Sequence, residues 1–168
     1  MIILGVDPGL NVTGYGVIDA AQPRLRVITA GDIRPPKLRT LSERLGVIHE
    51  ELSRLITRFR AQTLVLEKIF THHNHVTTAA LMAHARGVAC LAAQEHGLPL
   101  AEYPPTQVKK SLTGNGAASK DQVARMVGQW LGAADASWSI DATDALALAI
   151  IHAHIALQQR NLPAGVVA

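Results

Sequence analysis

Four carboxylates stand where a charged side chain costs free energy unless something positive meets it. Asp7 closes the apolar run Ile2-Ile3-Leu4-Gly5-Val6, and Glu67 closes Gln62-Thr63-Leu64-Val65-Leu66 in the same way. Asp141 and Asp144 head an apolar helical segment, and their spacing of three puts both on one side of a helix. Each has an ordinary account by itself: Asp7-Pro8-Gly9 is good turn chemistry, and an acid at a helix N-cap complements the dipole. Together they say more. If the strands ending in Asp7 and Glu67 are parallel neighbours, four acids gather at one sheet edge and repel unless divalent cations neutralise them. Oxygen-only ligands select hard ions such as Mg²⁺ or Mn²⁺. Two such ions about 4 Å apart suit in-line displacement at a phosphodiester, one activating water and the other stabilising the leaving oxygen.

The cations are placed to complement that chemistry. Between Gln107 and Arg125 the only carboxylate is Asp121, against Lys109, Lys110, Lys120 and Arg125. Within this basic stretch, the loop Gly114-Asn115-Gly116 leads to Ser119-Lys120-Asp121-Gln122, a capping box. Free backbone donors from Gly114 to Lys120 beside two lysines suit phosphate, although a glycine loop with solvated lysines is the plainer account of the residues alone. His72-His73-Asn74-His75 invites a metal reading, but adjacent side chains point apart, and exposed loop residues or phosphate contacts are the plainer account.

These groups need a frame, and the apolar periodicities supply one. Ile2 to Asp7, Thr13 to Ile18 and Arg24 to Ile33 read as three strands of an antiparallel meander. A capping box at Thr40-Leu41-Ser42-Glu43 opens an amphipathic helix with Leu41, Leu45, Ile48, Leu52, Leu55 and Ile56 on one side. Gln62 to Leu66 is a buried strand, Val76 to His96 an Ala-rich helix, and Leu98 to Tyr103 a fifth strand. Val108 to Leu112 reads as a short helical turn. One helix follows from Lys120 to about Leu131, and a last one runs from about Asp141 to Gln158. The fold class is α/β: a five-stranded mixed sheet with helices on both faces. The expected organisation is one domain over residues 1–158, with a loose tail at 159–168.

Composition narrows the class. The chain has 168 residues, 48% apolar and 17% charged, with a formal charge of +3, which fits an anionic partner without demanding one. No uninterrupted apolar run approaches bilayer-spanning length, and the first residues lack the basic region of a signal peptide. The single cysteine, Cys90, excludes an internal disulfide and suits a reducing cytoplasm, the expected location.

The opening Ile3-Leu4-Gly5-Val6-Asp7-Pro8-Gly9 with Thr13-Gly14-Tyr15-Gly16, then Leu66-Glu67-Lys68-Ile69-Phe70, Ala85-Arg86-Gly87, Gln107-Val108-Lys109 and Asp141-Ala142-Thr143-Asp144-Ala145-Leu146-Ala147, occur in order. This set, spread from residue 2 to about 155, resembles the RuvC family of bacterial Holliday-junction resolvases, members of the ribonuclease H-like superfamily. The resemblance implies a structure-selective DNA endonuclease for four-way junctions, leaving 5′-phosphate and 3′-hydroxyl ends. It makes Asp7, Glu67, Asp141 and Asp144 the acids that bind two Mg²⁺ or Mn²⁺ ions. Some members carry His at the position of Asp141. Lys109 and Lys120 match lysines that contact DNA near the scissile phosphate, with Lys110, Gly114 and Gly116 on the same surface. Phe70 matches an aromatic that stacks on an unpaired base, against the alternative of a core phenylalanine. A homodimer through the Ala-rich helix is implied, as are the branch-migration partners RuvA and RuvB. The histidine loop has no counterpart in the family pattern. Three rivals remain at this level: an actin-like or sugar-kinase-like ATPase, a junction-binding protein without catalysis, and a related nuclease acting on RNA.

Overall fold

The computed structural model describes residues 1–21, 24–68, 76–134 and 136–161, with the side chains of 76–78, 160 and 161 left aside. Phe70 and the His72–His75 loop lie outside the described residues, as does the tail beyond Asn161. Five strands, β1 (Ile2–Asp7), β2 (Thr13–Asp19), β3 (Arg26–Ile33), β4 (Thr63–Glu67) and β5 (Leu100–Tyr103), form one sheet in the order β3-β2-β1-β4-β5. β1 pairs antiparallel with β2 and parallel with β4, so the expected neighbours are neighbours. β2 pairs antiparallel with β3, and β4 parallel with β5. β1, β3, β4 and β5 therefore all finish at one edge of the sheet, where open α/β sheets hold their ligands.

Helices cover both faces. α1 (Leu41–Phe59) and α2 (Val76–Glu95) pack on the face made by Leu4, Val6, Val17, Leu64 and Leu66. α3 (Pro105–Thr113), α4 (Lys120–Trp130) and α5 (Ile140–Asn161) pack on the face of Ile3, Ile18 and Val65. The alternation of the two sets along β1 and β4 is the period-2 pattern of strands buried on both sides. Both expected capping boxes are formed: Thr40 with Glu43 opens α1, and Ser119 with Gln122 opens α4.

Several strand ends shift by one or two residues from the sequence reading, and three helix boundaries differ in ways that bear on the site. α3 is a full nine-residue helix rather than a short turn, because Pro104-Pro105 starts a helix as readily as it stops a strand. α5 continues past residue 158, the expected domain end, to Asn161. It also begins one residue before Asp141. Ser139 is the cap, its Oγ accepting the Ala142 N–H at 3.1 Å and its carbonyl accepting the Thr143 N–H at 2.9 Å. Asp141 is thus inside the first turn and its carboxylate is not needed to cap the helix. By length and composition α5 passes for a membrane span over Ile140–Gln159, yet 56% of that stretch is buried inside the protein. It is the core helix.

How α5 reaches the sheet is decided by glycine. Gly5 and Gly16 are register partners, as are Asp7 and Gly14, and all four face α5. A Cβ on Gly5 would overlap the Ala145 carbonyl, one on Gly14 the Asp141 carbonyl, and one on Gly16 the Leu146 side chain. Bare strand backbone lets the first half of α5 lie directly on β1 and β2.

Candidate active site

Asp7 ends the central strand β1, and continuing the Val6–Leu66 pairing by one residue sets it beside Glu67 at the end of β4. Both point to the α5 face, the side of Ile3 and Val65. α5 then brings Asp144 over them from above, one turn past its cap. Asp7, Glu67 and Asp144 line a cavity of about 290 Å³ together with Lys109 from α3 and Lys120 from the start of α4. Val108, Val123, Ala147 and Leu148 give it apolar walls.

The electrostatics follow from this crowding. The Asp7 carboxyl is pushed up to about 7, first by burial and then by Asp144, Glu67 and Asp141, with Lys120 pulling the other way. Glu67 is raised by burial and by Asp144, opposed by Lys120 and Lys109. Lys120 donates from Nζ to Asp144 Oδ2 at 3.0 Å, and that bond raises its own ammonium. The site holds more negative charge than its two lysines cancel. Its donors are carboxylate oxygens, the set that hard divalent ions prefer, so the residues fit such ions. Among the described residues no three side chains already form a ligand cage.

The loop after Asp7 is fixed from two sides. Thr13, fully buried, donates to the Gly9 carbonyl at 2.8 Å, and Arg44 of α1 donates to the Leu10 carbonyl and to Asn11 Oδ1, both at 2.8 Å. The end of β4 is held by Arg86 of α2, which donates to the Glu67 carbonyl at 2.7 Å and pairs with Glu102. The start of α5 is tied to β3, since Ser139 Oγ donates to Asp32 Oδ1 at 2.5 Å.

Of the residues singled out in the sequence, Asp7, Glu67, Asp144, Lys109 and Lys120 converge. Asp141 does not line the cavity, although its charge registers on Asp7. Lys110, Gly114 and Gly116 also lie outside the lining. The free donors expected in the Gly114–Lys120 loop are largely taken up internally. Gly114 N–H reaches the Lys110 carbonyl, Asn115 N–H the Thr113 hydroxyl, Ala117 N–H the Asn115 side chain and Ser119 N–H the Gln122 side chain. Thr113, Asn115 and Gln122 side chains thus satisfy much of the turn. Sequence reasoning named Gly5, Gly14 and Gly16 only within the family motifs and gave them no role, although glycine inside strand patterns was the signal. It passed over Ser139 and Asp32, which carried no local signal.

A family model described as crossover junction endodeoxyribonuclease RuvC matches residues 3–152. The chain belongs to the RuvC family. Crossover junction endodeoxyribonuclease RuvC of Halorhodospira halophila is 46% identical over 152 residues, covering 90% of this chain and 89% of the relative. The structure of Thermus thermophilus RuvC superposes with a TM-score of 0.87 at 32% identity, covering 95% of this chain and 97% of that one. The T. thermophilus RuvC complex with a Holliday junction substrate superposes equally well, with a TM-score of 0.87 and 96% of its chain covered. The fold is accordingly the ribonuclease H-like fold of RuvC, and the chain is a nuclease of that family.

Proposed function

We propose that this chain resolves four-way DNA junctions by metal-dependent phosphodiester hydrolysis, working as a homodimer that makes two symmetric cuts. The observation that carries the reading is the convergence of Asp7, Glu67 and Asp144 with Lys109 and Lys120 in one cavity at the carboxyl ends of the strands. Membership of the RuvC family, one of whose members is seen with a Holliday junction, supports the substrate class.

Two Mg²⁺ or Mn²⁺ ions, when bound, would supply activation of a water and neutralisation of charge on the leaving oxygen. Asp7 would be the ligand shared between them, flanked by Glu67 on β4 and by Asp144 and Asp141 on α5. It sits on the strand with a paired neighbour on each side, which suits a shared ligand that tolerates little displacement. Lys120, released from Asp144, turns its ammonium to the phosphate and stabilises charge gathered there in the transition state. Lys109 stands at the same mouth and holds the adjoining backbone. Cleavage in this mode leaves 5′-phosphate and 3′-hydroxyl ends, which DNA ligase would reseal directly.

A four-way junction has twofold symmetry, so a C2 pair of sites matches the two cuts. α2 leaves Leu81, Met82 and Leu91 exposed, apolar surface that a second copy would cover. RuvA and RuvB are the proposed branch-migration partners, and the cytoplasm the proposed location. The test is Asp7→Asn. Cleavage of a synthetic four-way junction with Mg²⁺ should fall at least about a thousandfold while junction binding stays intact. Near-normal cleavage by that variant would overturn the mechanism.

A further inference from the structure

β3 leaves the sheet at the same edge as Asp7. The pairs Asp7–Gly14 and Gly14–Asp32 put Asp32 two strands from Asp7, about 10 Å away at the usual strand spacing. Beyond Ile33 the chain makes a turn through Pro35, Pro36, Lys37, Leu38 and Arg39, closed by the Arg39 N–H on the Pro36 carbonyl at 3.2 Å. Pro35 is buried and two consecutive prolines stiffen the turn, so its tip is presented rather than loose.

Leu38 is at that tip with 102% of its reference surface exposed. A single exposed leucine is ordinary on a protein surface. This one is set apart by degree, because every other large exposed apolar side chain among the described residues is at 65% or less. Its surroundings are cationic: Arg34, Lys37, Arg39 and Arg44 against Asp32 and Glu43. Arg34 pairs with Asp32 at 2.5 Å and Arg39 with Glu43 at 2.7 Å, both arginines well exposed. Lys37 makes no ion pair or hydrogen bond among the described residues.

We propose that this turn is a second DNA contact, with Leu38 laid against sugar and base atoms in the minor groove of the duplex arm that enters the active site, and Lys37 and Arg39 on the flanking phosphates. The assignment rests on the proposed nuclease reading and adds a surface to it. Minor-groove proteins set apolar side chains, leucine among them, as wedges at base steps, while basic side chains beside them supply the salt-dependent part of the affinity. A protruding leucine between cations suits a polyanion with apolar sugar faces better than it suits a protein groove, where the cations would have to be desolvated.

The two kinds of contact separate in a salt titration of four-way junction binding, done in Ca²⁺ to prevent turnover. Lys37→Ala should bind threefold to tenfold more weakly, with the slope of log affinity against log salt reduced by about one; Lys37→Arg should keep the parental slope. Leu38→Ser should lose a similar factor with its slope unchanged. Both residues are exposed, so the thermal midpoint should stay at the parental value. Parental affinity and slope in both alanine and serine variants would overturn the contact. So would a loss traced by sedimentation to a changed oligomeric state, which would make the turn a protein interface. If the parent itself fails to bind junctions, the nuclease reading falls along with the contact; if the parent binds and cleaves while the variants match it, the turn contact alone falls.

Discussion

The two faces of the sheet are built differently. Against α1 and α2 stand large side chains, Leu4, Val6, Val17, Leu64 and Leu66, interleaved with Ile48, Leu52 and Ile56. Against the first half of α5 stand Gly5, Gly14 and Gly16, and the helix backbone rests on strand backbone. The first face is an ordinary packed layer whose business is stability. The second brings a helix so near that an aspartate on it meets acids on the strands beneath. Asp and Glu side chains are short, so a helix held off by a layer of leucines would leave Asp144 out of reach of Asp7. The row Asp32, Gly14, Asp7, Glu67 shows the same economy across the sheet: one glycine in it receives the Asp141 carbonyl of α5, and Asp32 receives its cap.

The sharpest way to break this contrast is to fill the glycine face. Gly5→Ala should destabilise the protein by about 3 kcal/mol or more, because the Ala145 carbonyl it meets is backbone and cannot turn aside. In whatever folds, cleavage should be lost as α5 lifts. Leu52→Ala on the opposite face should cost about 2–5 kcal/mol of stability and leave cleavage per folded molecule unchanged. Denaturant melts paired with active-site titration would separate the two outcomes. Equal loss of activity in both would erase the distinction between the faces.

Charge crowding on the glycine face makes a pH signature. The Asp7 and Glu67 carboxyls are raised in the fold and ordinary in the unfolded chain, so the native state holds extra protons. That contribution to stability is complete below pH 4 and is lost as pH rises through about 7. In metal-free protein at pH 8, Asp7→Asn should therefore be more stable than the parent by about 2–4 kcal/mol, with the gap closing toward pH 4. Thermal melts across that range would read it, and added Mg²⁺ should stabilise only the parent. A gap independent of pH would show that burial and repulsion at Asp7 are not what separates the two proteins.

Smaller effects refine the picture. Ser139→Ala removes the α5 cap and its tie to Asp32, with an expected loss of about 1 kcal/mol and a several-fold drop in cleavage. The drop should exceed that of an equally destabilising change on α1. Lys109→Ala should leave the fold alone, weaken junction binding, and lower the salt slope by about one ion. An unchanged slope would remove Lys109 from the DNA surface.

Much of this was legible in the chain because its signals are local. Alternating apolar residues marked the strands, both capping boxes formed where Thr40-Leu41-Ser42-Glu43 and Ser119-Lys120-Asp121-Gln122 announced them, and acids after apolar runs marked Asp7 and Glu67. Asp141 and Asp144 were visible as a pair, but the alternative account of an aspartate capping the helix does not hold, since Ser139 is the cap. Ser139 could take the cap because its hydroxyl also had Asp32 as an acceptor, a partner 107 positions away. The Gly114–Lys120 loop went the same way: side chains of Thr113, Asn115 and Gln122 filled the backbone donors that composition alone left open.

What the sequence by itself determined was which residues carry charge and which strand or helix ends they occupy, since both follow from residue type and period. What only the tertiary structure decided was distance. Asp7 and Glu67 are neighbours because β1 and β4 pair in parallel, and Asp144 reaches them because three glycines face α5 in register. Register and helix approach are collective properties of the packed sheet. A one-residue slip of β1 would turn Asp7 to the opposite face, and nothing local to Asp7 forbids it.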